Sequence, residues 1–244
     1  MRLRAYSGLG VLAVLYLVAA RPASATLVYS NDFSSIAGPE WSNQSLATSN
    51  GEQFLGASAN GFGNGTDTLT LTGLSGHTSV TVGFDLYIIQ SWDGNGPNGG
   101  NSVNNPDGFR LNENGNTLLL SNFANFTGGN TQAFQSQAVT SGTFAPRTGQ
   151  FAAGHLGFGS GDFGDATYRF SYTFNDSASN LAFAFTSLQN QSPGDEGWGL
   201  DNVSVSITGN AGGVATPEPS ATVLILSGAG GLLLARHRRR RTAI

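Results

Sequence analysis

The stretch Val80-Thr81-Val82-Gly83-Phe84-Asp85-Leu86-Tyr87-Ile88 puts Val80, Val82, Phe84, Leu86 and Ile88 on one parity and Thr81, Asp85 and Tyr87 on the other. Alternation with period two, held this long, is the pattern of a β-strand with one face in a core. Tyr168, Phe170, Tyr172 and Phe174 alternate in the same way against Thr167, Arg169, Ser171 and Thr173. Leu181, Phe183 and Phe185 repeat it after the turn Asn175-Asp176-Ser177, which predicts a hairpin. Shorter candidate strands are Leu27–Phe33, Phe54–Ala57, Thr66–Leu71, Phe109–Leu111, Leu118–Phe123 and Gln132–Val139. Gly- and Asn-rich turns separate them, and between the two chain ends no window has helical period. About ten short strands of this kind predict an all-β fold, an antiparallel β-sandwich of jelly-roll type.

One strand changes phase. In Trp198-Gly199-Leu200-Asp201-Asn202-Val203-Ser204-Val205-Ser206-Ile207 the apolar parity is even up to Leu200 and odd from Val203. An extra residue near Asp201-Asn202 accounts for that, and a β-bulge supplies one.

The ends read differently from the middle. Arg2 and Arg4 precede an apolar run, Gly8–Ala20, and Ala23-Ser24-Ala25 is a small-x-small cleavage pattern, so residues 1–25 are expected to be a signal peptide. At the other end, Pro217-Glu218-Pro219 precedes the uncharged run Ala221–Ala235, and Arg236, Arg238, Arg239, Arg240 and Arg241 follow. Those fifteen uncharged residues make about 22 Å of helix, a short transmembrane segment stopped by arginines. The expected organisation is a β-sandwich domain over 26–210, a linker over 211–216 and a C-terminal signal over 217–244.

Composition restricts the partners. Eight of the eleven arginines lie in the two end segments, and there is no lysine. Residues 26–216 keep Arg110, Arg147 and Arg169 against fourteen Asp and Glu, a net charge of −11. Nucleic acid is excluded, since phosphate contacts need a basic surface. Divalent cations are the natural counter-charge. With no cysteine, neither disulfides nor thiolate metal sites exist.

Two acidic loops are candidate ligand sets. Asp93 and Asn95 follow the long strand, and Asp107 comes after a Gly/Asn-rich excursion. Asp195, Glu196 and Asp201 lie at and near the start of the phase-changing strand. Calcium takes six to eight oxygen ligands on bendable loops, so these residues can share one ion; the same Asp-Gly and Asn-Gly pairs also simply make turns. Trp92 and Trp198 flank the loops and are read either as a stacking platform for a sugar or as core. No catalytic residues stand out. His77 and His155 have no metal-ligand spacing, there is no Gly-x-Ser-x-Gly elbow, and Glu40, Glu52, Glu113 and Glu196 show no pairing in sequence.

The C-terminal triplet, apolar run and arginine cluster together resemble the bacterial PEP-CTERM sorting signal. That resemblance implies a Gram-negative bacterium, transient anchoring in the inner membrane, processing by an exosortase-type membrane protease, and delivery to the outer surface or an exopolysaccharide matrix. Asp195-Glu196-Gly197-Trp198-Gly199-Leu200-Asp201-Asn202-Val203-Ser204-Val205 resembles the closing strand of MAM-like and related concanavalin-type jelly-roll domains, with Asn31-Asp32-Phe33 suited to the first strand paired with it. The expected function is a non-catalytic envelope or matrix protein that binds polysaccharide with calcium as a structural ion. A polysaccharide hydrolase or lyase and a purely structural coat component are the alternatives.

Overall fold

The computed structural model describes residues 24–95 and 107–209. The linker and the sorting segment, with Pro217, Glu218, Pro219 and the arginine cluster, lie outside the described residues, as does the signal segment up to Ala23. Ser24–Gly209 form one compact unit. Its strands are β1 (Ala25–Asn31), β2 (Leu46–Ser49), β3 (Glu52–Leu55), β4 (Gly65–Leu71), β5 (Ser79–Gln90), β6 (Gly108–Glu113), β7 (Asn116–Asn122), β8 (Ala152–Ala153), β9 (Asp165–Asn175), β10 (Leu181–Ser187) and β11 (Glu196–Thr208). The described residues contain no helix.

Two antiparallel sheets result. One runs β2-β3-β11-β5-β9-β8, with β1 also pairing β11, and the other runs β4-β10-β6-β7. The expected alternation is what joins them. Val80, Val82, Phe84, Leu86 and Ile88 of β5 are all buried and share one apolar cluster with Leu69, Leu111, Phe183 and Phe185 of the second sheet. Phe84 stacks on Phe170 at 5.0 Å within its sheet and meets Phe185 of the other sheet edge-on at 5.1 Å. Phe109 meets Trp198 edge-on at 5.2 Å in a second contact between sheets. Such pairs add roughly 0.5–1.5 kcal/mol each beyond burial.

The phase change in β11 is a bulge. β11 pairs with β5 from Glu196↔Gln90 to Thr208↔Ser79, with a register shift between Asp201 and Ser204. Asn202 sits there with φ of 50°, a left-handed conformation that Asn tolerates better than most residues. The partner on the outer edge of β11 also changes at this point: β3 pairs at Leu200, and β1 pairs from Val203 onward. The expected pairing of first and last strands is therefore present.

Two expectations are corrected. β9 and β10 do not form a hairpin, because they belong to different sheets. Both bury aromatic parities in the same core, so the chain crosses between layers, and Phe174 faces Phe183 at 6.3 Å. Gln132–Val139 is not a strand; it makes only isolated bridges, Gln132↔Phe144 and Ser136↔Val139. Its polar side chains satisfy neighbouring loops instead, as when Gln132 Nε2 donates to the carbonyls of Phe134 and Thr148.

Phe84→Ala should cost about 3–5 kcal/mol in urea unfolding, since it empties the contact between sheets. Thr81→Ala, on the opposite face of the same strand, should cost less than about 1 kcal/mol. Equal losses at the two positions would contradict the assignment of faces.

Candidate functional site

Antiparallel pairing brings the C-terminal end of β5 beside the N-terminal end of β11. The Ser91 N–H and hydroxyl both donate to the Asp195 carbonyl at 2.9 Å, which ties the loop after β5 to the start of β11. Asp107 arrives just before β6, with its N–H donating to the Gly94 carbonyl at 3.3 Å and its carbonyl accepting from the Phe123 N–H at 3.1 Å. Gly94 has φ of 58°, and a Cβ there would run into the Thr131 carbonyl oxygen, so the turn after Asp93 requires glycine.

These ties gather Asp93, Asp107 and Glu196 so that one carboxylate oxygen of each lies within 4.8 Å of the others. Asp107 and Glu196 are 0 % exposed and Asp93 is 6 % exposed. The Asp93 N–H donates to Asp107 Oδ2, Asn130 Nδ2 donates to Asp93 Oδ1 at 2.7 Å, and Gln191 Nε2 donates to Glu196 Oε1 at 2.9 Å. Asp107 and Glu196 also share a side-chain hydrogen bond, while the buried Asn130 Oδ1 has no donor. Burial pushes all three carboxyls above the usual carboxylate range, and for Glu196 the neighbouring Asp107 charge pushes further the same way. Among the described residues no Arg forms an ion pair with Asp93 or Glu196.

The expected ligand set is thus partly assembled. Asn95 stands next to the cluster with its Oδ1 taken by Asn122 Nδ2 at 2.8 Å. Asp195 turns its Oδ1 to the Ser91 hydroxyl at 2.6 Å. Asp201 is elsewhere: it pairs with Asp85 five residues further along β11, about 17 Å away by strand rise. Sequence reasoning missed Asn130 and Gln191, which no local spacing connects to the acidic loops.

Trp92 and Trp198 are also corrected. They are 0 % and 1 % exposed, so neither offers a face to a ligand. Their indole N–H groups donate to the carbonyls of Gly197 and Gly63, both at 2.8 Å, which is how a tryptophan is buried without losing its polar handle.

A second polar network lies on the outer face of the larger sheet, around the bulge. Arg169 forks onto Asp85, with Nε to Oδ1 at 2.7 Å and Nη2 to Oδ2 at 2.8 Å. Asn202 Nδ2 donates to Asp85 Oδ2 and Asp201 Oδ2, both at 3.0 Å, and the Tyr87 hydroxyl donates to Asp201 Oδ2 at 3.0 Å. The carboxyls of Glu52 and Asp201 are hydrogen-bonded to each other, and His155 Nε2 stands 3.4 Å from Glu52 Oε2. Burial, followed by Glu52, pushes the Asp201 carboxyl up to about 7.

No protein-family model matches the chain, and no curated protein matches it. Among solved structures, a native family 35 carbohydrate-binding module from Clostridium thermocellum aligns over 75% of this chain and 98% of its own, at 13% identity and a TM-score of 0.32. The Agl-KA catalytic domain aligns over 84% of this chain and 31% of its own, at 14% identity and a TM-score of 0.29. Likeness this slight carries no argument about fold or function.

A raised Asp201 has a definite sign. Between its unfolded value near pH 4 and its folded value, the folded protein holds a proton that the unfolded chain has released, so stability falls as pH rises through that window. Melting curves from pH 4 to pH 8 should therefore fall less steeply for Asp201→Asn than for the parent. Parallel curves would mean that Asp201 is not proton-loaded in the fold.

Proposed function

We propose that this chain is an exported, non-catalytic envelope or matrix domain that binds glycan and is held together by one calcium ion at Asp93, Asp107 and Glu196. The observation that carries the cation reading is the gathering of three buried carboxyls, one oxygen of each within 4.8 Å of the others, with Asp107 and Glu196 close enough to share a hydrogen bond. Burying an unpaired carboxylate costs several kcal/mol, and a divalent cation removes that cost for all three groups at once. Calcium–oxygen distances of about 2.3–2.6 Å allow ligand atoms up to about 4.6–5.2 Å apart, and the three oxygens here lie within 4.8 Å of one another. The all-oxygen donor set favours a hard cation over zinc.

The other parts of the proposal have separate supports. Export and exosortase-type processing rest on the two end segments of the sequence. The non-catalytic reading is supported by Glu52 and Asp201, the carboxyl pair on the outer face. They touch through a direct hydrogen bond, whereas glycoside hydrolysis needs two carboxyl groups about 5 Å or more apart.

Thermal melts in EDTA, in calcium and in magnesium test the cation. Calcium at a hundredfold excess over its Kd should add about 2.7 kcal/mol, or roughly 5–10 °C in midpoint, with magnesium giving much less. Asp107→Asn should shrink the calcium shift while leaving the metal-free protein as stable as the parent or more so, because one buried carboxyl is gone. Identical midpoints in EDTA and calcium would refute the ion.

A further inference from the structure

The outer face of the larger sheet is only partly covered. Toward Tyr87 and Ile89 it is sealed by a small apolar cluster with Ala47, Phe54 and Leu156. Toward the other end of β5 the register sets out rows of small polar residues. Gly83 lies between Ser171 of β9 and Ser204 of β11, and Thr81 lies between Thr173 and Ser206. Gly83 contributes no side chain, and a Cβ there would stand 3.1 Å from Ser204 Oγ, so this floor is low. Along one side runs Arg169–Asp85–Asn202, which crosses two strand spacings, about 9.6 Å. At the β1 end the surface dips into an open hollow lined by Ser30, Asn31, Asp32, Asn202, Val203 and Ser204.

We propose that this trough binds an uncharged polysaccharide chain, with Phe151 as its stacking platform. The proposal rests on the glycan-binding reading above and gives it a place and a ligand class. Phe151 is 60 % exposed, and the Arg169 guanidinium carbon lies 3.9 Å from its ring centroid. The cation holds the ring in place from one side and leaves ring surface open, as stacking on the CH face of a sugar requires. The polar groups are set in advance as well. Asp85 engages Nε and Nη2 of Arg169, which leaves Nη1 as a donor with no partner among the described residues. Asn202 uses its Nδ2 on Asp85 and Asp201, which leaves Oδ1 as an acceptor with no partner among the described residues. A fixed donor and a fixed acceptor beside an exposed ring suit neighbouring hydroxyls.

Charge selects among polymers. Arg169 and Asp85 cancel within the trough, Asp32 lines its hollow at the β1 end, and Glu52 and Asp201 lie past Asn202. With fourteen carboxyl residues against three arginines over residues 26–216, uronate-bearing or sulfated chains are repelled. A protein partner is disfavoured because the centre of the trough is hydroxyl and glycine, where a protein interface places its apolar core. A neutral chain of hydroxyls and CH faces suits the charge-cancelled Arg169–Asp85 pair and the exposed ring. A cationic chain, which the net charge would attract anywhere on the surface, is the competing outcome of the test.

Electrophoresis of the full chain through gels containing dextran, xylan, alginate or chitosan tests this, with calcium present throughout. Retardation by a neutral polysaccharide is expected, weakened about tenfold by Phe151→Ala and by Gly83→Val, which raises the floor. Leu120→Ala, an exposed leucine of the other sheet, should change nothing. Both trough variants should melt within a few degrees of the parent, so that lost binding is not lost folding. Neutral-glycan binding that survives both trough substitutions would overturn the trough and leave the glycan reading standing. Binding to alginate or chitosan alone would overturn the ligand class, and binding to none of the four would overturn both readings.

Discussion

The antiparallel pairing of β5 with β11 is the constraint from which the rest of the structure follows. It runs almost the full length of both strands, and its core parity carries Val82, Phe84, Leu86, Trp198, Leu200 and Val205. Its Gln90↔Glu196 end fixes where the buried carboxyl cluster forms. Its one irregularity, between Asp201 and Ser204, fixes where Asn202 leaves the ladder and reaches Asp85. A regular β11 would turn either its first or its second apolar set into solvent, because a shift of one residue reverses every side chain. The bulge lets one strand serve the core on both sides of the defect and frees Asn202 for the outer face.

Charge is handled in opposite ways at the two places. On the outer face Asp85 has Arg169 and an amide, and the pair stays partly in water, where such pairs are cheap to keep. At the end of β5 three carboxyls are withdrawn from solvent side by side, and burial pushes all three above the usual carboxylate range. Protons alone keep such a cluster neutral, at the cost of raised carboxyl affinities; a bound cation keeps it ionised. Between its end segments the chain has only three arginines of its own, which is why we propose a bound ion as the counter-charge.

The sequence carried the parts of this account that depend on alternation along one strand. The faces of β5, the aromatic parity of β9 and the bulge in β11 are all local patterns. Asp93, Asp107 and Glu196 were legible as candidates because each sits at a strand end beside a glycine. What pairing decides was not legible. Nothing in Asn175-Asp176-Ser177 distinguishes a hairpin turn from a crossing between sheets, and Asp201 resembles Glu196 in sequence yet lies far along the strand. Trp92 and Trp198 stand beside acidic loops, which suggested exposure, but a backbone carbonyl waits for each indole in the interior. Asn130, Arg169 and Phe151 acquire their roles only through contacts across the fold.

The claim on which most depends is that the Asp93–Asp107–Glu196 cluster holds a calcium ion. Terbium substitutes for calcium and emits when a nearby tryptophan is excited, and Trp92 adjoins Asp93 while Trp198 lies two residues from Glu196. Titrating terbium into the metal-free chain with tryptophan excitation is therefore the most direct measurement. The account predicts sensitised emission that saturates at one ion per chain, is displaced by calcium, and is lost in Asp107→Asn. No sensitised emission, or emission unchanged by that substitution, would contradict it.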